Sequence, residues 1–410
     1  MRILFVADGR SLNTRGWLKA LAETGQEIHL VSTYAHKNLP FTTTQTVLPI
    51  AFSRFARSIR PKGELNTQAS VIPKQGKSLR SIARLRPHLM RARYILGPLS
   101  LRFHLKHLIK VIDQLKPDLL HALRIPFEGM FATYTAQRIP VIVSIWGNDL
   151  TLHANGSIFM HAHTRRTLQT CAGLIADADR DIELARQWGL PDGLPTIVLP
   201  GAGGIPIHLF SSSSASIDDL LNSPLLDDTP VILNPRGFRT GSVRNDVFFQ
   251  AIPIVAAEIP NAMFLCPAMA DEPEAMDWVK RLGIQAHVQL LPKVAHERMR
   301  DMYKRAQITV SISEHDGTPN SLLEAMASGS FPIVGNIASV QEWITHDQNG
   351  LLVDPSDPEE LARALITALR DRASRDHASE RNFDIISARA EQTKVTQKVL
   401  EFYRGVLNRP

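Results

Sequence analysis

The sequence predicts an α/β protein made of two tandem, doubly wound parallel-sheet domains, and three observations carry that prediction. Short β-branched and apolar runs such as Ile3-Leu4-Phe5-Val6-Ala7 and Ile308-Thr309-Val310-Ser311-Ile312 recur along the chain with helical stripes between them, the alternation of a parallel sheet. That alternation stops at Pro200-Gly201-Ala202-Gly203-Gly204-Ile205-Pro206 and the serine-rich run 211–216, then restarts at Val231, which puts a flexible domain boundary in between. Finally, 410 residues are too many for one ordinary core.

Taken in order, residues 2–7 read as the first strand, ending at Asp8-Gly9-Arg10-Ser11. Trp17, Leu18, Leu21 and Ala22 make a helical stripe stopped by Gly25, and 27–32 form a second strand. Gly9 and Gly16 lack the G-x-G-x-x-G spacing, so this βαβ opening gives no support to a nicotinamide or flavin site. Gly9 either lets a ligand approach the backbone or is an ordinary turn glycine. Strands follow at 118–123, 141–146, 173–177 and 196–199, with helices over 128–137, 158–171 and 180–188. Beyond the hinge the expected strands are 231–235, 262–266, 288–291, 308–313, 331–334 and 351–353, and 358–407 is helical.

Composition narrows the class. With 44% hydrophobic and 21% charged residues the chain reads as a soluble globular protein. No apolar run approaches bilayer length, and Met1-Arg2 leads into too short an apolar core for a signal peptide. Cys171 and Cys266 are the only cysteines and lack metal-ligand spacing, which points to a reducing cytoplasm with neither disulfide nor zinc site. The net charge of +6 is concentrated in 53–110, where fourteen Lys or Arg face one acid, Glu64. Phe52, Phe55, Ile59, Ile82, Leu85, Leu89, Tyr94 and Ile95 are interleaved with Arg54, Arg57, Arg60, Lys62, Arg80, Arg84, Arg86, Arg91 and Arg93. Such a segment suits an anionic membrane surface or an acidic ligand, or is a solvated helix face with a loop. A nucleic-acid partner is not expected, because no binding motif is present and aromatics make up only 6%.

The most informative stretch is Ser313-Glu314-His315-Asp316-Gly317-Thr318-Pro319-Asn320-Ser321-Leu322-Leu323-Glu324-Ala325-Met326-Ala327-Ser328-Gly329. It reads as strand end, polar loop and helix, the junction at which open α/β sheets bind ligands. The helix start offers backbone N–H groups to a phosphate. Thr318-Pro319 also suits an N-cap and first helical position, and Ser321 with Glu324 could equally form a capping box.

The loop followed by Leu-Leu-Glu-Ala-Met-Ala-x-Gly, with Pro332-Ile333-Val334 and Gly350-Leu351-Leu352-Val353 downstream, resembles the E-x7-E signature of the retaining glycosyltransferases of family 4, the group 1 type with the GT-B fold. The likeness covers nearly the whole chain. It implies two Rossmann-like domains facing across a cleft: an acceptor-binding one at 1–205, a nucleotide-sugar-binding one at 206–385, and a C-terminal helix at 386–410 crossing back to the first. By resemblance Glu324 accepts hydrogen bonds from the nucleotide ribose. Asp316, standing where a glutamate is usual, and the segment Gly317, Thr318, Asn320, Ser321 and Leu322 hold the donor sugar and diphosphate. Arg236, after the first strand of the second domain, matches the diphosphate clamp. Its usual lysine partner is replaced by Arg239 or Arg244, of which Arg244, just ahead of the helix near Asn245, is favoured. Arginine suits phosphate oxygens chemically.

In the first domain, Ser144-Ile145-Trp146-Gly147-Asn148-Asp149 is similar to the family's H-G-x-D strand end. Trp146 replaces its histidine, so it can stack on a sugar but not exchange a proton. Asp149 meets the acceptor or caps the next helix, and His121 and His153 are further cleft candidates or structural histidines. Gly9 matches the region where the family brings backbone close to phosphate and acceptor. Pro200–Pro206 keeps only the family's hinge character.

The resemblance therefore implies metal-independent transfer, with retention, of a sugar from a UDP- or GDP-sugar to a glycan, lipid-linked or small-molecule hydroxyl, with no cofactor. Polysaccharide or glycolipid biosynthesis, in a cytoplasmic protein touching the inner membrane face through 53–110, is the implied setting. A non-catalytic sugar-nucleotide or glycan-binding protein and a sugar-nucleotide epimerase are the alternatives.

Overall fold

The computed structural model describes residues 1–54, 78–200, 202–211, 215–239 and 241–409, with the backbone alone for 78–88 and 211. The part of the basic stretch at 55–77, with Arg57, Arg60 and Lys62, lies outside the described residues. So do the side chains of Arg80, Arg84 and Arg86.

Two parallel sheets form among the described residues. The first has seven strands, β1 (Arg2–Ala7), β2 (Glu27–Ser32), β3 (Thr44–Val47), β4 (Leu119–Ala122), β5 (Val141–Ser144), β6 (Gly173–Ala176) and β7 (Thr196–Val198), in the order β3-β2-β1-β4-β5-β6-β7. The second has six, β8 (Val231–Leu233), β9 (Met263–Cys266), β10 (Val288–Leu290), β11 (Ile308–Ser311), β12 (Phe331–Gly335) and β13 (Leu351–Val353), in the order β10-β9-β8-β11-β12-β13. Ile3 to Ala7 are fully buried, as expected for a central parallel strand covered by helices on both faces. The order reverses between β1 and β4 in one sheet and between β8 and β11 in the other. Each reversal leaves a crevice at the carboxyl ends of the strands.

The chain divides into two compact units. Unit 1 comprises Met1–Asp177, Asp181–Val198 and Lys398–Pro410; unit 2 comprises Ala178–Arg180 and Leu199–Gln397. The last helix, Gln392–Leu407, starts in unit 2 and ends in unit 1. In the hinge, Gly203 and Gly204 have φ of +82° and +93°, a region natural to glycine. A Cβ on Gly204 would stand 2.8 Å from Gln392 Cα, where Ile205 N–H donates to Ala390 O at 2.7 Å.

Two elements differ from expectation. The helix expected over 128–137 is a broken coil of turns, Ile125–Gly129, Met130–Ala132 and Thr133–Thr135. Pro126 with ψ +119° and Phe127 with φ +65° interrupt its start. β3 has no counterpart in the expectation: its Thr-Gln-Thr-Val is a polar edge strand without an apolar run to announce it. Among the described residues no helix is long and apolar enough to cross a membrane.

Candidate functional site

At the reversal in unit 2, the loop after β8 carries Arg236 and the loop after β11 carries Asp316. Arg236 is buried. Its Nη1 donates to Ser321 Oγ at 3.1 Å and its Nη2 to Asp316 Oδ2. Its Nε is buried and meets no hydrogen-bond partner among the described residues. Asn234 Oδ1 accepts from the Arg236 N–H at 3.2 Å, and Gly237, at φ +61°, turns the loop. The two loops are laced together: Ser242 Oγ donates to His315 O at 2.6 Å and Glu314 N–H to Ser242 O at 2.9 Å. From behind, Ser339 Oγ donates to Asp316 O at 2.7 Å and Trp343 Nε1 to Thr318 Oγ1 at 2.9 Å. A fixed loop keeps Asp316 and the helix start in one geometry.

The helix Asn320–Ser328 begins one residue later than expected, with Pro319 as its N-cap and no side-chain cap. There is no capping box. Ser321 turns to Arg236, and the Glu324 carboxylate instead accepts a hydrogen bond from the Tyr303 hydroxyl, with His296 Nε2 3.7 Å from its Oε1. Burial pushes the Glu324 carboxyl up from its ordinary value, while His296, Tyr303 and Arg300 oppose the shift. Tyr303 is itself buried, and the charges of Arg236 and Arg239 reach it. One connected group therefore joins Arg236, Asp316, Ser321, Tyr303 and Glu324. Leu322 is not part of its surface: it packs in the core with its N–H bonded to Pro319 O at 2.9 Å.

Of the two arginines weighed as the second cation, Arg239 is the one beside Arg236. The Arg236 charge, with burial, lowers the Arg239 guanidinium from its ordinary value, and Asp316 opposes this. Arg244 is directed elsewhere. It forms a two-bond fork with Asp246, at 2.9 and 2.8 Å, and also donates to Glu314. These carboxylates raise its pKa against burial, so its charge is already matched. A cation pair next to a helix start can neutralise a diphosphate, and a desolvated carboxylate can accept from a diol.

In unit 1 the expected residues take different roles. Gly9 follows β1, donates its N–H to Ser32 Oγ at 3.1 Å, and lies so close to His36 that a Cβ would stand 2.6 Å from its ring. Asp149 is fully buried and accepts from Arg124 Nη2 at 2.8 Å, Ile125 N–H at 2.9 Å and Trp146 N–H at 3.3 Å. It therefore ties two strand ends together, and no side-chain cap forms at the turn Asp149–His153. Trp146 is half-buried at that strand end. His121 is a core histidine. Its Nδ1 pairs with the Tyr403 hydroxyl at 2.6 Å and its Nε2 with Ser144 Oγ at 2.8 Å, and burial pushes the imidazole down to about 3. His153 pairs with the Tyr94 hydroxyl at 2.6 Å. Burial, then the Arg124 and Arg93 charges, push it down to about 3 as well.

The residues that sequence reasoning passed over are His296, Arg300 and Tyr303, on the helix His296–Arg305. A signal was present: the spacing i, i+4, i+7 places all three on one helix face.

Residues 246–384 match the family model of the group 1 glycosyl transferases, and residues 69–178 match the glycosyl transferase 4-like model. Together the two cover more than half of the sequence. The chain belongs to the group 1 glycosyltransferases. Among curated relatives, an uncharacterized glycosyltransferase of Methanocaldococcus jannaschii is 23% identical over 246 residues, 58% of this chain and 63% of that protein. The chain thus matches less than two thirds of the length of such relatives. Among solved structures, sucrose-phosphate synthase of Thermosynechococcus elongatus aligns over 99% of both chains with a TM-score of 0.75 and 16% identity. Anabaena HepE in complex with UDP-glucose aligns over 99% of this chain and 100% of its own, with a TM-score of 0.66 and 17% identity. This group 1 glycosyltransferase has the GT-B fold.

Proposed function

We propose that the protein is a retaining glycosyltransferase that moves a sugar from a nucleoside diphosphate donor, held by unit 2, to a hydroxyl of an acceptor held by unit 1. The observation that carries this reading is Arg236, whose buried Nε has no partner among the described residues, set between Asp316, Ser321 and the Glu324–Tyr303 pair at the strand reversal. Glu324 takes the ribose hydroxyls, Arg236 and Arg239 with the uncapped start of the helix Asn320–Ser328 take the diphosphate, and Asp316 faces the sugar. The HepE complex with UDP-glucose supports a nucleotide-sugar donor.

In the reaction the acceptor oxygen bonds to the anomeric carbon as the bond from that carbon to the diphosphate oxygen breaks. The electron pair leaves with the diphosphate, which takes the acceptor proton from the same face. Trp146 offers no proton-transfer group, in keeping with a leaving phosphate that acts as base. Fixed cations stabilise the charge developing on the leaving group, so the step needs neither a metal ion nor a cofactor. The outward face of the helix Ser78–Ser100 and the turn after it expose Leu89, Ile95, Leu96, Leu99 and Phe103, the last at 82%, beside exposed Arg91, Arg102 and Lys106. This mix supports peripheral contact with an anionic membrane.

Calorimetry with UDP-glucose and GDP-mannose, on the parent and on Arg236→Gln, tests the donor site. The variant should bind roughly tenfold or more weakly. No binding of either donor by the parent, or equal binding by the variant, would overturn the reading. Proton NMR of the product then reports the anomeric configuration.

A further inference from the structure

Unit 1 has its own strand reversal, between β1 and β4, and the loops leaving those strands carry Asp8-Gly9-Arg10 and Leu123-Arg124. Three guanidinium groups gather there, two of them on aromatic rings. That of Arg10 lies 3.6 Å from the centroid of Tyr34. That of Arg93 lies 5.7 Å from the same centroid and 4.4 Å from that of Phe127. Gly97 makes room for this arrangement, since a Cβ there would stand 2.6 Å from the Phe127 ring. Arg93 Nε donates to Ala51 O at 3.1 Å, which occupies one of its three guanidinium nitrogens. Arg124, with φ at +134°, gives Nη2 to Asp149, while its Nε is buried without a partner among the described residues.

Depth sorts the charges. Asp149 is at 0% exposure and Glu128 at 4%, and Glu128 accepts from the Thr33 hydroxyl at 2.7 Å while burial holds it toward its protonated form. Above them stand Arg124 at 33% and Arg10 at 46%. Asp8 is the acid nearest the surface here, and Arg10 covers both its oxygens at 3.0 and 2.9 Å. The Tyr94–His153 pair beside them is neutral. Asp149 and Glu128 thus lie beneath the flat cations of this crevice, while Asp8, at 25% exposure, matches the charge of Arg10 and leaves Arg93 and Arg124 as the cations free to take an anion.

We propose that the crevice formed by Arg93 and Arg124 over Tyr34 and Phe127, with the Asp8-bound Arg10 at its rim, is a subsite for a phosphate-type anion carried by the acceptor. Guanidinium forks match phosphate oxygens two bonds at a time, and stacking on Tyr34 and Phe127 holds the forks in place beforehand. That the anion belongs to an acceptor rests on the glycosyl-transfer reading above; the anion site does not.

The test is isothermal titration of the full chain with inorganic phosphate at constant ionic strength, without any donor. Phosphate taken by Arg236 and Arg239 in unit 2 is common to all the proteins compared, so differences report on unit 1. Arg93→Gln should weaken binding roughly tenfold and Arg93→Lys less, since one charge-assisted fork is lost or made monodentate. Arg93→Lys, which keeps the charge and the stem, gives the same reading should Arg93→Gln fail to fold. Equal phosphate affinity in parent and variants overturns the proposal. Two further probes identify the source of the anion. Saturable, Arg93-dependent binding of glycerol 3-phosphate indicates a soluble acceptor. Arg93-dependent capture on phosphatidylcholine vesicles containing phosphatidic acid, and not on phosphatidylcholine alone, indicates a lipid. Arg93-independence of both overturns the proposal. A parent that binds phosphate in this way yet no nucleotide sugar would sink the donor reading and leave the anion site standing.

Discussion

Replacing Glu324 by glutamine separates binding from stability at one position. The side chain is 14% exposed, and burial raises its pKa above the ordinary value of 4.5 while Tyr303 and His296 hold it from two sides. A charged acceptor facing a ribose diol contributes about 1.5–3 kcal/mol, so UDP-glucose affinity should fall roughly 10- to 150-fold. Stability should move the other way. A group whose pKa is raised on folding adds stability that is fully present below the unfolded value and is lost as pH rises through the folded one. The parent therefore loses stability as pH rises above 4.5, by about 1.4 kcal/mol per pH unit until the folded value is reached, and the glutamine variant does not. Urea unfolding should find the two similar near pH 4.5 and the variant the more stable at pH 8, while calorimetry finds its affinity reduced. A variant that binds UDP-glucose like the parent and is less stable at about pH 8 would refute both the assignment and the electrostatic argument.

Arg239→Gln should reduce turnover on the order of 100-fold, the usual cost of removing one transition-state donor, while Arg244→Gln changes it only a few-fold; steady-state rates in the reverse order would reject Arg239 as the second cation. His121 is pushed from 6.5 to about 3, so it adds stability above pH 6.5 that is lost as pH falls toward 3, at about 1.4 kcal/mol per pH unit. His121→Gln should flatten that acid limb in urea unfolding between about pH 7.5 and 4.5, and parallel limbs would exclude His121 as its source. Leu96→Asp with Phe103→Asp should reduce co-sedimentation with phosphatidylglycerol vesicles at unchanged Tm, and undiminished sedimentation would remove this face from membrane contact.

Much of the architecture was legible because its central strands are continuous apolar runs: Ile3 to Ala7 and Ile308 to Ser311 are buried on both faces, and few other structures suit such segments. The same logic fails at the edges. Thr44–Val47 is polar because an edge strand is partly solvated, and the periodicity of 128–137 suggests a helix because it ignores what Pro126 and Phe127 do to the backbone. The placement of Glu324 and Arg236 at the strand reversal of unit 2 was legible for a different reason: the loop–helix motif and the position just after a strand fix it by chain order alone.

What the sequence determined by itself is which side chains leave which strand ends, since strand and loop order follow from local pattern. Tertiary structure decided their direction and company. Arg239 and Arg244 belong to one loop, and only the placement of Asp246 and Glu314 draws Arg244 away and leaves Arg239 beside Arg236. His121 is as plausible a site residue as any from its sequence, yet Tyr403, 282 residues away, and Ser144 close both its nitrogens into the core. Tyr303 reaches Glu324 from one helix to another, and Arg93 reaches Tyr34 from a helix to the loop after β2. Such contacts are set by how elements pack, and packing joins residues whose separation along the chain carries no local signal.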